Sequence, residues 1–289
     1  VLIKQSGAVK GILTERDMAK IDDKALSPEM EEAIFKSVTS IPEKFYFVSS
    51  GKEAFDLNMY PSWSAYKDIQ DKLEASIQER GIKLKIYERV LFPLDKSKFC
   101  SYFNLSGILK DRFGLDIEDA EENEPEHEKN QLSMTEKRVI YGLIKYPELT
   151  VAKLSKNINV SVPTICKVRK EMLANGLLKI INFPDFTKIG MELLVLNHSK
   201  FSPGVMQKSS KKQDNLNPNS FFTITSNTDC VNISVYEDYT QAKENMEKYG
   251  LHNAKEGKDT HNLIVPIEKV RFPKLDFVPL IKKMFNLDF

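Results

Sequence analysis

Only three of the 289 residues are cysteine, Cys100, Cys166 and Cys230, and they stand far apart with no CxxC pair. That excludes a disulfide framework and a zinc knuckle. Four histidines, His127, His198, His252 and His261, show no HxxxH spacing, so no metal and no cofactor is expected. A Ser/His/Asp set, a Cys/His pair and a phosphate-cradling glycine loop are likewise lacking, and the chain is read as a non-enzyme. No apolar run approaches the length of a membrane span, so no membrane partner is expected. The chain opens on Val1 rather than Met, with no secretory pattern after it. The expectations are a reducing, cytoplasmic setting and a true start upstream of residue 1.

Net charge is the last scarcity, at +1 from 42 basic and 41 acidic residues. The balance conceals an uneven distribution. Between Ser133 and Lys188 ten Lys/Arg meet four Asp/Glu, whereas Asp116–Glu128 (DIEDAEENEPEHE) holds eight acidic residues and no basic one. Such a block buries too little apolar surface to order itself and reads as an acidic linker over 116–131. With 41% apolar and 29% charged residues, the remainder suits two or three globular domains.

What the chain does have is the punctuation of a helix-turn-helix running into a wing, in TVAKLSKNINVSVPTICKVRKEMLANGLLKI from Thr150 to Ile180. Val151, Leu154 and Ile158 share one face of a first helix, Thr150–Ile158. A break through Asn159–Val160 precedes Ser161, a good N-cap, with Pro163 in the first turn, where a missing N–H costs nothing. Ile165, Val168, Met172 and Leu173 repeat at helical spacing and should pack inward, and Gly176 stands where a left-handed stop is needed. Thr164, Lys167 and Lys170 are left pointing outward. A packed back and a small-polar, cationic front suit the major groove.

The chain also repeats itself. Ile41–Leu73 and Asn217–Tyr249 align without a gap, with identical pairs Pro42/Pro218, Phe45/Phe221, Ser50/Ser226, Tyr60/Tyr236, Lys67/Lys243 and Lys72/Lys248. Phe55/Val231, Leu57/Ile233 and Met59/Val235 keep the alternation of a strand with one buried face. Ser27-Pro28 matches Ser202-Pro203 with a one-residue slip, and Glu88–Pro93 matches Glu268–Pro273. Each copy reads as strand, helix, two strands, helix, strand: a ferredoxin-like βαββαβ unit. The second copy's elements are Leu193–Asn197, Pro203–Lys212, Phe221–Thr225, Val231–Tyr236, Tyr239–Tyr249 and Asn262–Ile267. The first copy's are Glu29–Ser37, Phe45–Ser49, Phe55–Met59, Ser64–Gln78 and Ile82–Tyr87. Its opening strand is either Val1–Lys4 or Ile12–Leu13, because Arg16–Asp22 is charged. The fold class expected is α+β, a winged helix-turn-helix between two ferredoxin-like βαββαβ domains. The units are 1–115, the linker 116–131, the winged helix 132–182 and 183–289.

That order of parts resembles the Lrp/AsnC (feast/famine) family of transcription regulators. The residues carrying the resemblance are Leu154, Val160-Ser161-Val162-Pro163-Thr164-Ile165, Arg169, Leu173-Ala174-Asn175-Gly176-Leu177-Leu178-Lys179 and Gly190. The resemblance covers roughly Ser133–Leu287, and more weakly the first 116 residues as another effector domain. It implies a double-stranded DNA partner, a homodimer or higher oligomer formed through the βαββαβ domains, and an amino-acid-like effector at their interfaces. The family places a Gly and an Asp between the second and third strands. Gly51 and Asp56 answer to these in the first copy and Asn227 and Asn232 in the second, so the pattern is incomplete. Val1-Leu2-Ile3-Lys4 resembles Gly176-Leu177-Leu178-Lys179, which implies a tandem protein with a further helix-turn-helix upstream of Val1.

Ser161, Thr164 and Lys167 would then lie nearest base edges. Arg169 and Lys170 would turn toward phosphate, Arg169 alternatively pairing inside the domain. Lys153 and Lys156 on the preceding helix and Lys179 in the wing would meet phosphates. Two other readings stay open on the same architecture. One is an enzyme resembling siroheme decarboxylases, for which His198 and His252 would be offered. The other is a co-regulator that does not touch DNA. Trp63, Tyr60, Tyr66 and Phe55 could form a stacking platform for single strands, but their places in the repeat favour packing.

Overall fold

The computed structural model describes residues 2–3, 12–15, 19–21, 28–50, 53–60, 62–79, 84–86, 90–93, 97–115, 132–180, 184–202, 217–254, 259–270 and 276–287. Among them the chain is α+β, and every strand pair is antiparallel.

The first part runs β1 (Leu2–Ile3), β2 (Ile12–Glu15), β3 (Ala19–Ile21), α1 (Pro28–Thr39), β4 (Lys44–Ser50), β5 (Glu53–Tyr60), α2 (Trp63–Glu79), β6 (Leu84–Ile86) and β7 (Val90–Pro93). Ile12 pairs with Pro93 and Ala19 with Ile86, so the β2–β7 and β3–β6 pairs share one register. Both β2 and β3 pair with β5, and β4 lies on the other side of β5. Of the two expected opening strands, the sheet uses the one beginning at Ile12. β1 pairs elsewhere.

Next come β8 (Lys98–Tyr102), α3 (Ser106–Phe113), α4 (Met134–Lys145), α5 (Val151–Ile158), α6 (Val162–Ala174) and β9 (Leu178–Lys179). The last part is β10 (Leu193–Lys200), β11 (Ser220–Thr225), β12 (Asp229–Tyr236), α7 (Tyr239–Ala254), β13 (Asp259–Pro266) and α8 (Val278–Phe285). Its sheet has the order β13-β10-β12-β11-β8. The expected helix Pro203–Lys212 lies outside the described residues.

The registers make the duplication exact at the backbone. Leu193 faces Tyr236 and Pro266 as Ile12 faces Tyr60 and Pro93. Pro93 therefore answers to Pro266, not to Pro273 as the sequence match had it. The local likeness of ERVLFP to EKVRFP falls on residues beyond the second copy's strand, where Ile267–Lys269 is a short 3-10 turn. A β-bulge recurs too, between Lys44 and Tyr46 and between Ser220 and Phe222. It leaves Phe45 and Phe221 outside the ladder at equivalent places, and bulges re-aim side chains in this way.

Those two rings receive segments from the opposite half. β8 adds to the second sheet's edge beside β11, Asn104 N–H donates to Phe221 O at 2.9 Å, and the Phe103 ring lies 6.1 Å from Phe221. Reciprocally Phe277, just ahead of α8, stacks on Phe45 at 4.8 Å, and Lys283 of α8 pairs with the buried Glu43. The sequence had assigned 98–115 to the first unit; their strand hydrogen-bonds into the second sheet. Phe45, Phe55 and Leu57 of the first half, Phe222, Ile233 and Val235 of the second, and Val139, Ile165 and Phe285 all belong to one continuous buried core.

Candidate nucleic-acid interface

Residues 133–179 build a three-helix unit, several of whose ends are specified locally. Ser133 caps α4 in a capping box with Glu136, each side chain bonding the other's backbone. Gly142 allows α4 to approach α5 closely; a Cβ there would meet Ile158 Cγ2 at 2.6 Å. Asn159 ends α5 in the left-handed region at φ 52° and Gly176 follows α6 at φ 66°. Leu154 and Ile158 from α5 and Ile165, Val168 and Met172 from α6 are buried, as their spacing requires. Leu173 is a correction: it is exposed, since it stands one position beyond Met172 and its direction turns out of the packed stripe. The wing strand β9 pairs with β1, Ile3 opposite Leu178 and Leu2 opposite Lys179.

The outward side of α6 is accessible. Lys167 is 74% exposed, with Glu171 one turn on at 4.0 Å, and Cys166 and Lys170 are exposed as well. Thr164 and Arg169 are half-buried, and Arg169 has no ion pair among the described residues. Ser161 is exposed, but its oxygen is already engaged. It accepts from Thr164 N–H at 3.4 Å as the helix cap and shares a hydrogen bond with the Thr164 hydroxyl at 2.7 Å. Lys153 and Lys156 are exposed on α5 and Lys179 is half-buried in the wing. The unit thus presents cations from α5 and α6 on its solvent side, with no acidic residue in the first turn of either helix.

The expected effector positions are placed differently. Asp56 is buried, pairs with Lys44 and accepts from Asn58 Nδ2 at 2.7 Å. Asn232, its counterpart, donates to Ser220 at 2.7 Å and Thr223 at 3.0 Å, while Ser234 donates to its carbonyl oxygen at 2.5 Å. Both are internal polar clamps within a sheet. Asn227 is exposed at the β11–β12 turn, and Gly51 lies outside the described residues.

His198 is wholly buried on β10, its Nε2 2.9 Å from Asp229 Oδ1. Burial pushes the Asp229 carboxyl up, and the bonds to His198 and Thr228 outweigh it and hold it below its ordinary range. This is a tether between paired strands rather than a side chain facing a ligand. The His252 side chain lies outside the described residues. Of the four aromatics, Phe55, Tyr60 and Tyr66 are buried, while Trp63 is 53% exposed with its ring 5.0 Å from Tyr66. No group of three or more His, Cys, Asp or Glu that could hold a metal ion occurs among the described residues, and no described helix is long and apolar enough to cross a membrane.

No family model and no curated protein matches the chain. Solved structures do resemble part of it. An AsnC family transcriptional regulator from Agrobacterium tumefaciens is 14% identical, with 46% of this chain covering 90% of that one at a TM-score of 0.38. LrpC of B. subtilis is 15% identical, over 47% of this chain and 95% of its own, at 0.38. A transcriptional regulator from Neisseria meningitidis, solved as its complex with L-Met, is 15% identical over 47% and 90% at 0.39.

Proposed function

We propose that the chain is a sequence-specific double-stranded DNA-binding transcription regulator that lays α6 in the major groove. The observation carrying this is the two-sided build of α6, with Ile165, Val168 and Met172 buried and Lys167 and Lys170 exposed. Ser161, Thr164 and Lys167 lie nearest base edges, and Ser161 also holds the helix start. Lys153, Lys156, Lys170, Arg169 and Lys179 serve phosphates, which fix position without reading sequence. A winged helix of this size binds weakly alone. Association of two chains, spacing two α6 helices by about one turn of DNA, ~34 Å, supplies the second half-site. Asp56 and Asn232 spend their polar atoms on Lys44, Asn58, Ser220 and Thr223 within their own sheets.

Fluorescence anisotropy on the DNA upstream of the protein's own gene, at two salt concentrations, tests this. Lys167→Ala should weaken binding by ~1–3 kcal/mol and relax preference at one base position. Undiminished site-specific binding by a Thr164→Ala, Lys167→Ala double variant would show that another surface reads the DNA.

A further inference from the structure

The duplication extends past the two sheets into the segments that cross between them. Leu105–Asp116 (LSGILKDRFGLD) aligns without a gap on Phe277–Asp288 (FVPLIKKMFNLD), with Lys110/Lys282, Phe113/Phe285, Leu115/Leu287 and Asp116/Asp288 identical. The structures agree: α3 and α8 each have eight residues, and each is stopped by a left-handed cap, Gly114 at φ 63° and Asn286 at φ 52°. Ile108 and its counterpart Leu280 are both buried.

At the far end of the two helices the equivalence breaks. Phe285 and Leu287 are 7% and 3% exposed, with α8 packed against α4 of the winged helix and Lys137 of α4 over the Phe285 ring at 5.9 Å. Phe113 and Leu115 are 50% and 49% exposed. The same pair of side chains, on the same kind of helix with the same stop, is covered in one copy and bare in the other. The covered copy displays its cover, α4, the helix that precedes the helix-turn-helix pair α5–α6.

A second relation says from which side such a helix would come. β9 leads from α6 into the second sheet, and β1 precedes the first sheet in the same way. Within the matched runs Val1–Lys4 and Gly176–Lys179, Ile3 and Leu178 are equivalent, and they are also partners in the β1–β9 ladder. Two equivalent residues facing each other across an antiparallel pair lie on a local two-fold axis. By the duplication, the bare end of α3 corresponds to the end of α8 that α4 covers.

We propose that the Phe113–Leu115 end of α3 is a docking seat for the α4 counterpart, the leading helix of a second three-helix winged domain, joined on the N-terminal side of β1. The seat is defined by packing and is independent of whether α6 binds DNA.

The test joins a copy of residues 132–176 ahead of Leu2 in the full chain, so that the copied Gly176 takes the place of Val1. Tethering keeps the added domain at an effective concentration on the order of millimolar beside the seat. Hydrogen–deuterium exchange then reads α3 peptides in the chain, the extended chain, and the extended chain with Phe113→Asp and Leu115→Asp. The expected result is α3 exchange slowed about tenfold or more by the extension, and restored by the double substitution. The same double substitution in the original chain should leave its melting temperature unchanged, because both side chains are exposed there. Unaltered α3 exchange beside a protected added domain would overturn the proposal. So would an added domain that stays unprotected, since the same sequence folds on the α8 seat. Protection of α3 in the original chain that rises with protein concentration would assign the face to a second copy and overturn it too.

Discussion

Lys44 and Asp56 on one sheet occupy the places that Ser220 and Asn232 occupy on the other, so one buried corner is solved twice with different chemistry. In the first half it is an ion pair whose side chains are 2% and 4% exposed; in the second it is a neutral hydrogen-bonded set. Removing one charge from a buried pair leaves the other uncompensated, at a cost of about 3–5 kcal/mol. Asp56→Asn alone should therefore lower the urea midpoint severely. Lys44→Ser with Asp56→Asn, which writes the second half's solution into the first, should recover most of the loss. Equal damage from the single and double variants would mean the two groups are not coupled. Tyr46 offers the same kind of comparison, since its counterpart is Phe222. Its hydroxyl is buried with no partner among the described residues, and burial pushes the phenol well above its ordinary 10.0. The folded state holds that proton longer than the unfolded one. Its contribution to stability is whole below about pH 10 and fades as pH rises beyond it. Tyr46→Phe should be at least as stable at neutral pH, by up to ~1 kcal/mol, and should lose less stability in thermal melts taken at about pH 11.

Among the elements, those specified by near neighbours were legible and those specified across the molecule were not. The ends of α5 and α6 were readable because Ser161, Pro163 and Gly176 act within a turn of where they stand. The strands were readable from alternation, down to the equivalence of Tyr60 and Tyr236. β8 and α3 went to the wrong half because nothing in Lys98–Phe113 records that its partner, Phe221, lies more than a hundred positions away. The repeat of α3 in α8 is written in the match of Lys110, Phe113 and Leu115 to Lys282, Phe285 and Leu287, but it lies outside the βαββαβ pattern and is only twelve residues long. Of the residues proposed to face DNA, Lys167 and Lys170 are exposed where helical periodicity put them. Ser161 caps α6 as its place before Pro163 requires, and its hydroxyl also bonds the Thr164 hydroxyl. α5 carries its own prediction: Lys153→Ala with Lys156→Ala should leave base preference intact. It should also reduce the slope of log affinity against log salt by ~2, read from titrations at several ionic strengths.

Taken whole, the molecule is two similar halves, each of which lays its tail on the other's sheet. Lys98–Phe113 rests on β11, and Phe277 with α8 rests on the edge of β4 while covering α4. Chain continuity through 116–131 is therefore not what unites the halves. A protease that cuts after glutamate has five such residues between Glu121 and Glu128 to act on. Cleavage there should yield two polypeptides that still co-elute as one particle and melt together, measured by size exclusion and calorimetry. Separation into independent pieces under native conditions would contradict the exchange of tails. The bond that carries the gene's reading order can be severed, and the particle should persist, because what joins it is a handshake of aromatic rings and not the thread between them.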